Sequence, residues 1–371
     1  MEKFSAFRDP GTGIQPFLTP VPPLGSDSYG WYLFPFQYLL GVVRFILVVL
    51  LTLLYLALVQ VLCLILAPVP PLYRIITWFF TAIITRLALL VIGLWWIPVE
   101  VVTRKRGRST KAKDSWNPTA GDIIVSNWVS WTELLWLAFR FNPIFLIPVA
   151  SAHPQTSQPL ASSPISHTPG RRTGTGSAAI SSPMTRAPVP RVPLTGFRQV
   201  SLMTMIKFTG YAPSDDSSTK SAADSLDDIL ARADRPVVLF PECTTSNGRG
   251  LLRFSDVLLT LKDKQSKLFL MCIRYDPPTD LSPSLAHPIP SSPLNPLGHL
   301  FTLCASVIPL TMMIRLLSPA SFEPADHSPG ARMAEAEEAV ASIGKIKRTG
   351  MGWEDKAAFL EFYWGTRKSR R

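Results

Sequence analysis

The sequence has few of the residues that build metal sites or disulfide frameworks. Only four of its 371 residues are cysteine and five are histidine. The cysteines are scattered without the spacing of zinc ligands or of a redox pair, and most of the histidines lie beside proline or in polar stretches. We therefore expect no bound metal and no disulfides, as is typical of a protein in the reducing cytosol. The residues concerned are Cys63, Cys243, Cys272, Cys304, His153, His167, His287, His299 and His327.

Acidic residues are also scarce relative to basic ones. The chain has 26 Asp and Glu against 37 Lys and Arg, which gives a formal charge of +11 and a pI near 9.7. Such a balance fits an acidic partner, either nucleic acid or an anionic lipid surface. Because 47% of the residues are hydrophobic and the mean hydropathy is +0.21, apolar sequence remains after a domain core is filled. This favours a lipid membrane as partner, and we expect no binding of nucleic acid.

Long uncharged runs near the amino terminus predict a membrane anchor over residues 34–102. Residues 45–67 carry no charge and, as a helix, are long enough to cross a bilayer. Prolines at 68–71 end that helix, and a second apolar stretch covers residues 75–101 with Arg86 in its middle. An arginine at the bilayer centre costs about 3 kcal/mol on insertion scales. The second stretch is therefore either a second span that closes a hairpin or a helix that lies in the interface.

The segments that flank this anchor are polar. Residues 1–33 are rich in proline and glycine and lack the compact basic start of a cleavable signal peptide, so we predict a disordered amino terminus. Residues 103–117 form a predicted juxtamembrane linker, which begins with six basic residues and no acidic one over 103–113. By the positive-inside rule this linker, and the domain that follows it, face the cytosol.

Strand and helix patterns alternate over residues 118–276, which predicts an α/β domain with a mixed sheet flanked by helices. The alternation is interrupted at 151–193, a stretch rich in Ser, Thr, Pro and Gly without acidic or aromatic residues, which we predict to be a disordered insertion. Residues 195–211 read as a basic amphipathic helix. The last part of the chain, 277–371, is predicted to be membrane-associated with a basic tail, because residues 297–317 are apolar enough to pack on a membrane surface.

One polar loop carries the chemistry most visible in the sequence. Residues 240–254, FPECTTSNGRGLLRF, follow a predicted buried strand and place Glu242 at its carboxyl end, where α/β sheets bind ligands. Hydroxyl and backbone donors with a tight Asn-Gly turn suit a phosphate, and an arginine matches its geometry. The alternative is a structural loop whose glutamate pairs with Arg249. The predicted substrate-binding residues are Thr244, Thr245, Asn247, Arg249 and Arg253.

Together with NWVSWTE at residues 127–133, this loop resembles the motifs of the glycerolipid acyltransferase family, which includes the 1-acylglycerol-3-phosphate acyltransferases. The resemblance covers about residues 120–275 and the anchoring segment, and looks closest to fungal lysophosphatidic acid acyltransferases of the endoplasmic reticulum and lipid droplets. It implies transfer of an acyl chain from acyl-CoA, as cosubstrate, to a lysophospholipid, with lysophosphatidic acid becoming phosphatidic acid. No bound cofactor is implied.

The resemblance also assigns candidate catalytic residues, although two positions differ from the family's Asn-His, four residues, Asp pattern. Asn127 is kept, but Trp128 stands at the histidine position and Glu133 at the aspartate position. An indole nitrogen is only a donor, so Trp128 cannot act as the base. Glu133 could act as base, or it could close a capping box with a serine at 130, and these roles need not exclude each other. Glu242 is a third candidate base.

A cysteine and the missing histidine leave two questions open. Cys243 replaces the glycine of the family motif, and it either narrows the approach to the backbone or, less favoured, serves as a nucleophile. Without the histidine, the chain is either a membrane-bound acyltransferase that uses another base or a non-catalytic scaffold or lipid-binding protein with the same fold. We favour the enzyme, because a scaffold has no need of a phosphate-binding loop.

Overall fold

The structure is a computed structural model of the full chain. It describes residues 4–23, 30–66, 68–103, 116–154, 189–213, 223–258, 266–319, 322 and 329–368. Most of the predicted juxtamembrane linker, the predicted insertion from 155 to 188, and the end of the basic tail lie outside the described residues.

A seven-stranded mixed sheet forms the centre of the molecule, in the order β1-β8-β7-β2-β5-β3-β4. The four strands β7, β2, β5 and β3 run parallel, while β8 pairs antiparallel with β7 and β4 pairs antiparallel with β3. Two short strands, β6 and β9, pair separately. The strand bounds are β1 Val99–Val102, β2 Ile123–Ser126, β3 Ile144–Ala150, β4 Leu194–Val200, β5 Val237–Leu239, β6 Gly250–Leu251, β7 Leu268–Tyr275, β8 Met312–Leu317 and β9 Lys347–Arg348.

Helices cover both faces of this sheet. Successive side chains of a strand point to opposite faces. Ile124 of β2 belongs to a buried cluster with side chains of α1, α2, α3, α4 and α6, while Ile123 and Val125 belong to a second cluster with side chains of α5 and α7. The predicted mixed α/β architecture flanked by helices is therefore confirmed. The helix bounds are α1 Gly30–Tyr55, α2 Pro70–Ile92, α3 Thr132–Phe141, α4 Leu202–Phe208, α5 Leu226–Arg232, α6 Leu297–Cys304, α7 Pro329–Gly344 and α8 Trp353–Lys368.

Two segments, Leu33–Val61 and Pro70–Ile92, are long and apolar enough to cross a membrane by length and composition. The first continues from α1 into a short π-helical stretch, and α1 and α2 pack against each other as a hairpin. Gly93 follows the last residue of α2, and its φ of 113° is left-handed, which suits a residue without Cβ. The predicted anchor over 34–102 is therefore too long at its carboxyl end, since β1 belongs to the sheet.

Two further segments differ from their predictions because the chain pairs in the sheet. The helix predicted at 195–211 is instead β4 followed by α4, and Ser201 between them caps α4 by accepting a hydrogen bond from the Thr204 amide. The apolar stretch 297–317 was predicted to pack on a membrane surface, but it forms α6 and then β8, which pairs with β1 and β7. The sheet domain thus extends beyond both ends of the predicted range 118–276.

The amino-terminal segment is ordered where the structure describes it, so the prediction of disorder is wrong for residues 4–23. Phe7 and Phe17 are buried and lie against Phe359 of α8, with ring centroids 5.2 and 5.6 Å apart. The Gly350 amide donates to Asp9 at 2.9 Å. Aromatic contacts between two segments separated by most of the chain explain why local composition did not indicate this order.

Candidate active site

The two sequence motifs meet at the carboxyl ends of the neighbouring parallel strands β2 and β5. Asn127 follows β2, and its side chain is fixed to β7: its Nδ2 donates to the Ile273 carbonyl at 3.0 Å, and its Oδ1 accepts from the Ile273 amide at 2.7 Å. Both ends of the side-chain amide are thus occupied by backbone. Asn127 therefore holds the first motif loop against β7.

Glu242 connects the two motif loops. One carboxyl oxygen accepts from the Trp128 amide at 3.0 Å and the other from the Leu252 amide at 2.8 Å. The side chain is fully buried, and burial raises its pKa to about 8 against the opposing effect of the two amides. Both oxygens are therefore committed to backbone donors, and the predicted pairing of this glutamate with Arg249 is absent from the ion pairs of the described residues.

Glu133 lies in the first turn of α3 and is also fully buried. Its Oε1 accepts from the amides of Val129 at 2.8 Å and Ser130 at 3.3 Å, but Trp131 is the N-cap of α3 and no side chain among the described residues caps it, so the predicted capping box with Ser130 as cap residue does not form. Its Oε2 accepts from the Tyr275 hydroxyl at 3.0 Å. Burial is the main reason that the pKa of Glu133 is raised to about 8. The carboxyl thus binds the turn that precedes α3 and also has the phenol of Tyr275 as partner.

Trp128, at the position of the family's histidine, belongs to the hydrophobic core. Its ring is fully buried and stacks on Phe240 with centroids 4.9 Å apart and on Phe208 at 6.4 Å. The indole nitrogen has no hydrogen-bond partner among the described residues. The side chain therefore provides packing and one unused donor, and it offers no lone pair for proton transfer.

The polar side chains of the second loop point largely into the protein. The Thr244 hydroxyl donates to the Tyr211 carbonyl, and the Thr245 hydroxyl donates to the His287 carbonyl, each at 2.8 Å. Asn247 Nδ2 donates to two carbonyls of the amino-terminal segment, at residues 15 and 18. These three predicted phosphate ligands are buried and occupied, because partners distant in sequence close over the loop.

The two predicted arginines behave differently from each other. Arg253 is partly buried and forms an ion pair with Glu354 of α8 at 3.2 Å, so it holds the carboxyl-terminal helix against the loop. Arg249 is exposed, and its side chain forms no ion pair in the described part of the chain. Of the five predicted substrate-binding residues, Arg249 alone presents an uncommitted charged group.

Cys243 takes a left-handed conformation with a φ of 57°, a region that favours glycine. Its thiol is fully buried, and burial raises its pKa to about 12. A thiol in that state stays protonated at neutral pH, which argues against the interpretation of Cys243 as a nucleophile.

Several residues that surround the motifs were not predicted from the sequence. Lys356 of α8 is fully buried, and its ammonium donates to the carbonyls of Thr245 and Pro288. His299 accepts from the indole of Trp131 at 3.0 Å and stacks on His287 with centroids 4.6 Å apart. Burial lowers the pKa of His287 to about 4 and that of His299 to about 3, so both imidazoles are neutral.

The tautomers of these histidines follow from their partners. His299 Nε2 lies 2.9 Å from the Ser284 carbonyl, which can only accept, so the hydrogen is on Nε2 and Nδ1 receives the Trp131 bond. His287 Nε2 lies 2.7 Å from Asn295 Oδ1. The bonds of His299 leave no lone pair for a substrate. No sequence motif pointed to this pair, because both residues lie beyond the predicted domain.

A cavity of about 400 Å³ lies beside the second loop and collects basic side chains. Arg249 contributes from the loop, Arg274 from the end of β7, and Lys345 and Lys347 from the connection after α7 and from β9. Tyr275, the phenol bound to Glu133, also lines it. The cavity thus places basic side chains next to Tyr275, which is hydrogen-bonded to the buried carboxyl of Glu133. These side chains make the cavity a more basic candidate anion site than the second loop alone.

Comparison with known proteins gives one informative result. The chain is 25% identical over 365 residues, 97% of its length and 98% of the relative's, to a Schizosaccharomyces pombe protein named "Putative lysophosphatidic acid:oleoyl-CoA acyltransferase". The similarity supports an acyltransferase family. It extends beyond both motifs to nearly the whole chain. No protein-family model matches the sequence, and no solved structure matches the fold.

Proposed function

We propose that the protein is a membrane-bound acyltransferase that moves an acyl chain from acyl-CoA to a lysophospholipid, with lysophosphatidic acid as acceptor and phosphatidic acid as product. The observation that carries the proposal is the basic cavity, which joins Arg249 of the second motif to Tyr275, the hydrogen-bond partner of Glu133. The full-length similarity to a protein named for this reaction supports the same substrates.

In this proposal the acceptor's phosphate binds the basic side chains, and Glu133 replaces the missing histidine as the final proton acceptor. The acceptor hydroxyl gives its proton to the Tyr275 oxygen while Tyr275 gives its own to the Glu133 carboxylate. The alkoxide oxygen bonds to the thioester carbon, the carbon–sulfur bond breaks, and the CoA sulfur leaves with the proton that Glu133 releases. The reaction needs acyl-CoA as cosubstrate and no bound cofactor.

The site of action is also part of the proposal. The two apolar helices support a membrane location, and we infer the endoplasmic reticulum membrane and lipid droplets, with the domain facing the cytosol where acyl-CoA is available. The basic segment at 103–113 supports this orientation by the positive-inside rule.

The second candidate function is a non-catalytic lipid-binding relative. The observation in its favour is that Trp128 fills the histidine position with a buried core side chain. Such a protein would bind the lysophospholipid without turning it over. Since general base catalysis contributes about a hundred- to ten-thousand-fold, loss of the histidine alone does not decide between the two functions.

The test compares microsomes that contain the chain with empty-vector microsomes, supplied with labelled oleoyl-CoA and lysophosphatidic acid. We expect incorporation of label into phosphatidic acid above the empty-vector level, and we expect Arg249→Ala to remove most of it. Arg232→Ala, on the surface of α5, is the control and keeps wild-type activity, because Arg232 does not line the cavity. Equal incorporation with and without the chain, across several lysophospholipids, would favour the binding protein.

A further inference from the structure

A second, larger cavity of about 650 Å³ lies next to the basic cavity. Pro20, Pro278 and Ser284 line both, so the two cavities are adjacent, and together they are called the cleft. Each volume lies in the range of about 300–1,000 Å³ that is usual for small-molecule sites. The cleft follows the amino-terminal segment on one side and the stretch after β7 on the other.

The two ends of the cleft differ in chemistry. The second cavity is lined mainly by apolar groups from α1, α6 and the connection before α6, including Phe34, Tyr38, Leu281 and Phe301. Tyr38 of α1 lies against Phe301 of α6 with ring centroids 5.6 Å apart. Phe34 and Tyr38 also have more than half of their surface exposed, so this end opens beside the outer surface of the apolar hairpin.

At the other end, the four basic side chains form no ion pair among the described residues. The acidic residue in that lining, Asp276, accepts a hydrogen bond from Thr311. Four positive charges against one negative charge leave an excess that suits a phosphate. The cleft is therefore basic at one end and apolar at the end next to the hairpin.

We propose that this cleft binds the acceptor lipid of the proposed reaction, with its phosphate among Arg249, Arg274, Lys345 and Lys347 and its single acyl chain between α1 and α6. The inference rests on the proposed function and adds a specificity: the acceptor is a one-chain anionic amphiphile that enters from the side of the hairpin. In a lysophospholipid only a glycerol unit separates phosphate from chain, which matches two cavities that share lining residues. In acyl-CoA a long pantetheine arm separates them.

Binding to the purified full chain in phosphatidylcholine nanodiscs tests the proposal without requiring turnover. The probes are oleoyl-lysophosphatidic acid, glycerol 3-phosphate and oleoyl-CoA. Thr302→Trp narrows the apolar end, since Thr302 is an exposed residue of α6 that lines it. Leu297→Trp, on the same helix and outside the lining, is the matched control. Thermal unfolding midpoints verify that each variant is folded, and Thr302→Leu provides a smaller change at the same position.

We expect Thr302→Trp to weaken binding of oleoyl-lysophosphatidic acid about tenfold and to leave glycerol 3-phosphate and oleoyl-CoA unchanged. Lys347→Gln is expected to weaken the binding of oleoyl-lysophosphatidic acid and of glycerol 3-phosphate by about fivefold. Arg348→Gln changes the neighbouring residue, which lies outside the lining, and should leave this binding unchanged. If Thr302→Trp instead weakens oleoyl-CoA alone, the apolar end holds the donor chain and the proposal is wrong. Unchanged binding in every variant also overturns it.

These results distinguish failure of the cleft proposal from failure of the proposed function. If lipid binding responds to the variants but the wild type transfers no acyl group, the cleft binds lipid and the proposed enzymatic function is wrong. If acyl transfer occurs and is insensitive to Thr302→Trp and Lys347→Gln, the enzymatic function stands and the cleft proposal is wrong.

Discussion

At the scale of single residues, the buried side chains of Glu133 and Glu242 differ in their hydrogen-bond partners. Both have a pKa raised to about 8 by burial. Glu242 has both oxygens bound by backbone amides, whereas one oxygen of Glu133 is bound by the hydroxyl of Tyr275, which lines the basic cavity. Proton transfer needs a path to the substrate as well as a suitable pKa. Of these two carboxyls, Glu133 is therefore the better candidate for the base.

The raised pKa of Glu133 predicts how acyl transfer depends on pH. If ionised Glu133 is the proton acceptor, as we propose, activity should rise between pH 7 and 9 with a midpoint near pH 8, where the carboxyl ionises. We expect Glu133→Gln to remove this rise and Tyr275→Phe to lower the rate by about a hundredfold or more. The measurement is the rate of phosphatidic acid formation at saturating substrates across this range. Arg232→Ala should retain the wild-type profile.

A Glu133→Gln variant that keeps both the rate and its rise with pH would show that another group accepts the proton. The same experiment with Glu242→Gln helps to interpret such a result. Glu242→Gln is expected to lower the unfolding midpoint, since the amides of Trp128 and Leu252 bind different oxygens of the carboxyl and glutamine keeps only one of them.

Part of the site could be predicted from the sequence, and the rest could not for a physical reason. The bond from Glu133 to the Ser130 amide was predictable because it is local in sequence, although Trp131, and not the predicted Ser130, is the N-cap of α3. The inward-facing hydroxyls of Thr244 and Thr245 were not, because their acceptors are carbonyls of Tyr211 and His287. Composition tells which side chains can bind a phosphate, but only the fold decides whether they are already occupied.

At the scale of elements, α8 and the amino-terminal segment enclose the second motif loop. Asn247 donates to the segment, Arg253 pairs with Glu354 of α8, and Lys356 of α8 donates to the Thr245 carbonyl. The Lys356 ammonium also lies 5.3 Å from the Phe17 ring centroid. Neither element belongs to the predicted domain, yet both fix the loop that carries Arg249.

Because Lys356 is buried in this region, the free energy of unfolding should depend on pH through its ammonium group. Burial lowers its pKa to about 7, below the ordinary value of 10.5 that it has in the unfolded chain. Between these values the unfolded chain binds a proton that the folded chain does not, so the contribution of Lys356 to stability rises with pH from 7 to 10. Lys356→Met should remove this component from the change in the free energy of unfolding between pH 8 and 10. Denaturant titrations at the two pH values measure it.

Lys207→Met is the control for this experiment, because Lys207 is exposed on α4 and its removal should leave the change between pH 8 and 10 as in the wild type. If Lys356→Met shows the same change as the wild type, the lysine does not titrate in the folded state as described. Glu133 and Glu242 do not interfere, since their raised pKa values act mainly below pH 8.

Prediction of elements succeeded where strands are buried and failed at the borders of the sheet. Strands β2, β3, β5 and β7 were predicted because uninterrupted apolar runs are typical of central parallel strands. Strand β4 was read as part of a helix, although Ser201 could have marked the helix start by its capping preference. Strand β8 was assigned to a membrane surface because hydropathy does not distinguish burial against a sheet from burial in lipid.

At the scale of the whole molecule, the apolar hairpin lies along the domain. Arg44, within the first candidate span, donates to the Ser306 carbonyl at 2.7 Å, just after α6. Arg86 donates to the carbonyls of Leu94 and Trp95, which follow α2. On α2, buried side chains extend from Thr77 to Ile92. Both arginines thus find acceptors within the protein, and the hairpin flanks the domain along its length.

This geometry favours a hairpin whose outer face lies in the membrane interface over a hairpin that crosses the bilayer. The outer face presents exposed apolar side chains along both helices, among them Leu47, Leu54, Trp78 and Phe79. Such a face suits the boundary between headgroups and acyl chains. If α1 and α2 crossed the membrane, the residues of α3 and α6 that pack on them would have to enter it as well. The connection between the helices should therefore stay on the cytosolic side.

A single introduced cysteine can test this topology, because the four native cysteines are buried. Val69 lies between α1 and α2 and is 49% exposed. In sealed microsomes, Val69→Cys should react with a membrane-impermeant maleimide without detergent, as should the reference variant Arg232→Cys on the domain surface, whereas the wild type should give little labelling. A transmembrane hairpin would place Val69 in the lumen, and Val69→Cys would then react only after permeabilisation while Arg232→Cys reacts before it. That outcome would require the domain to separate from the hairpin along α2, against the contacts of Thr77 to Ile92.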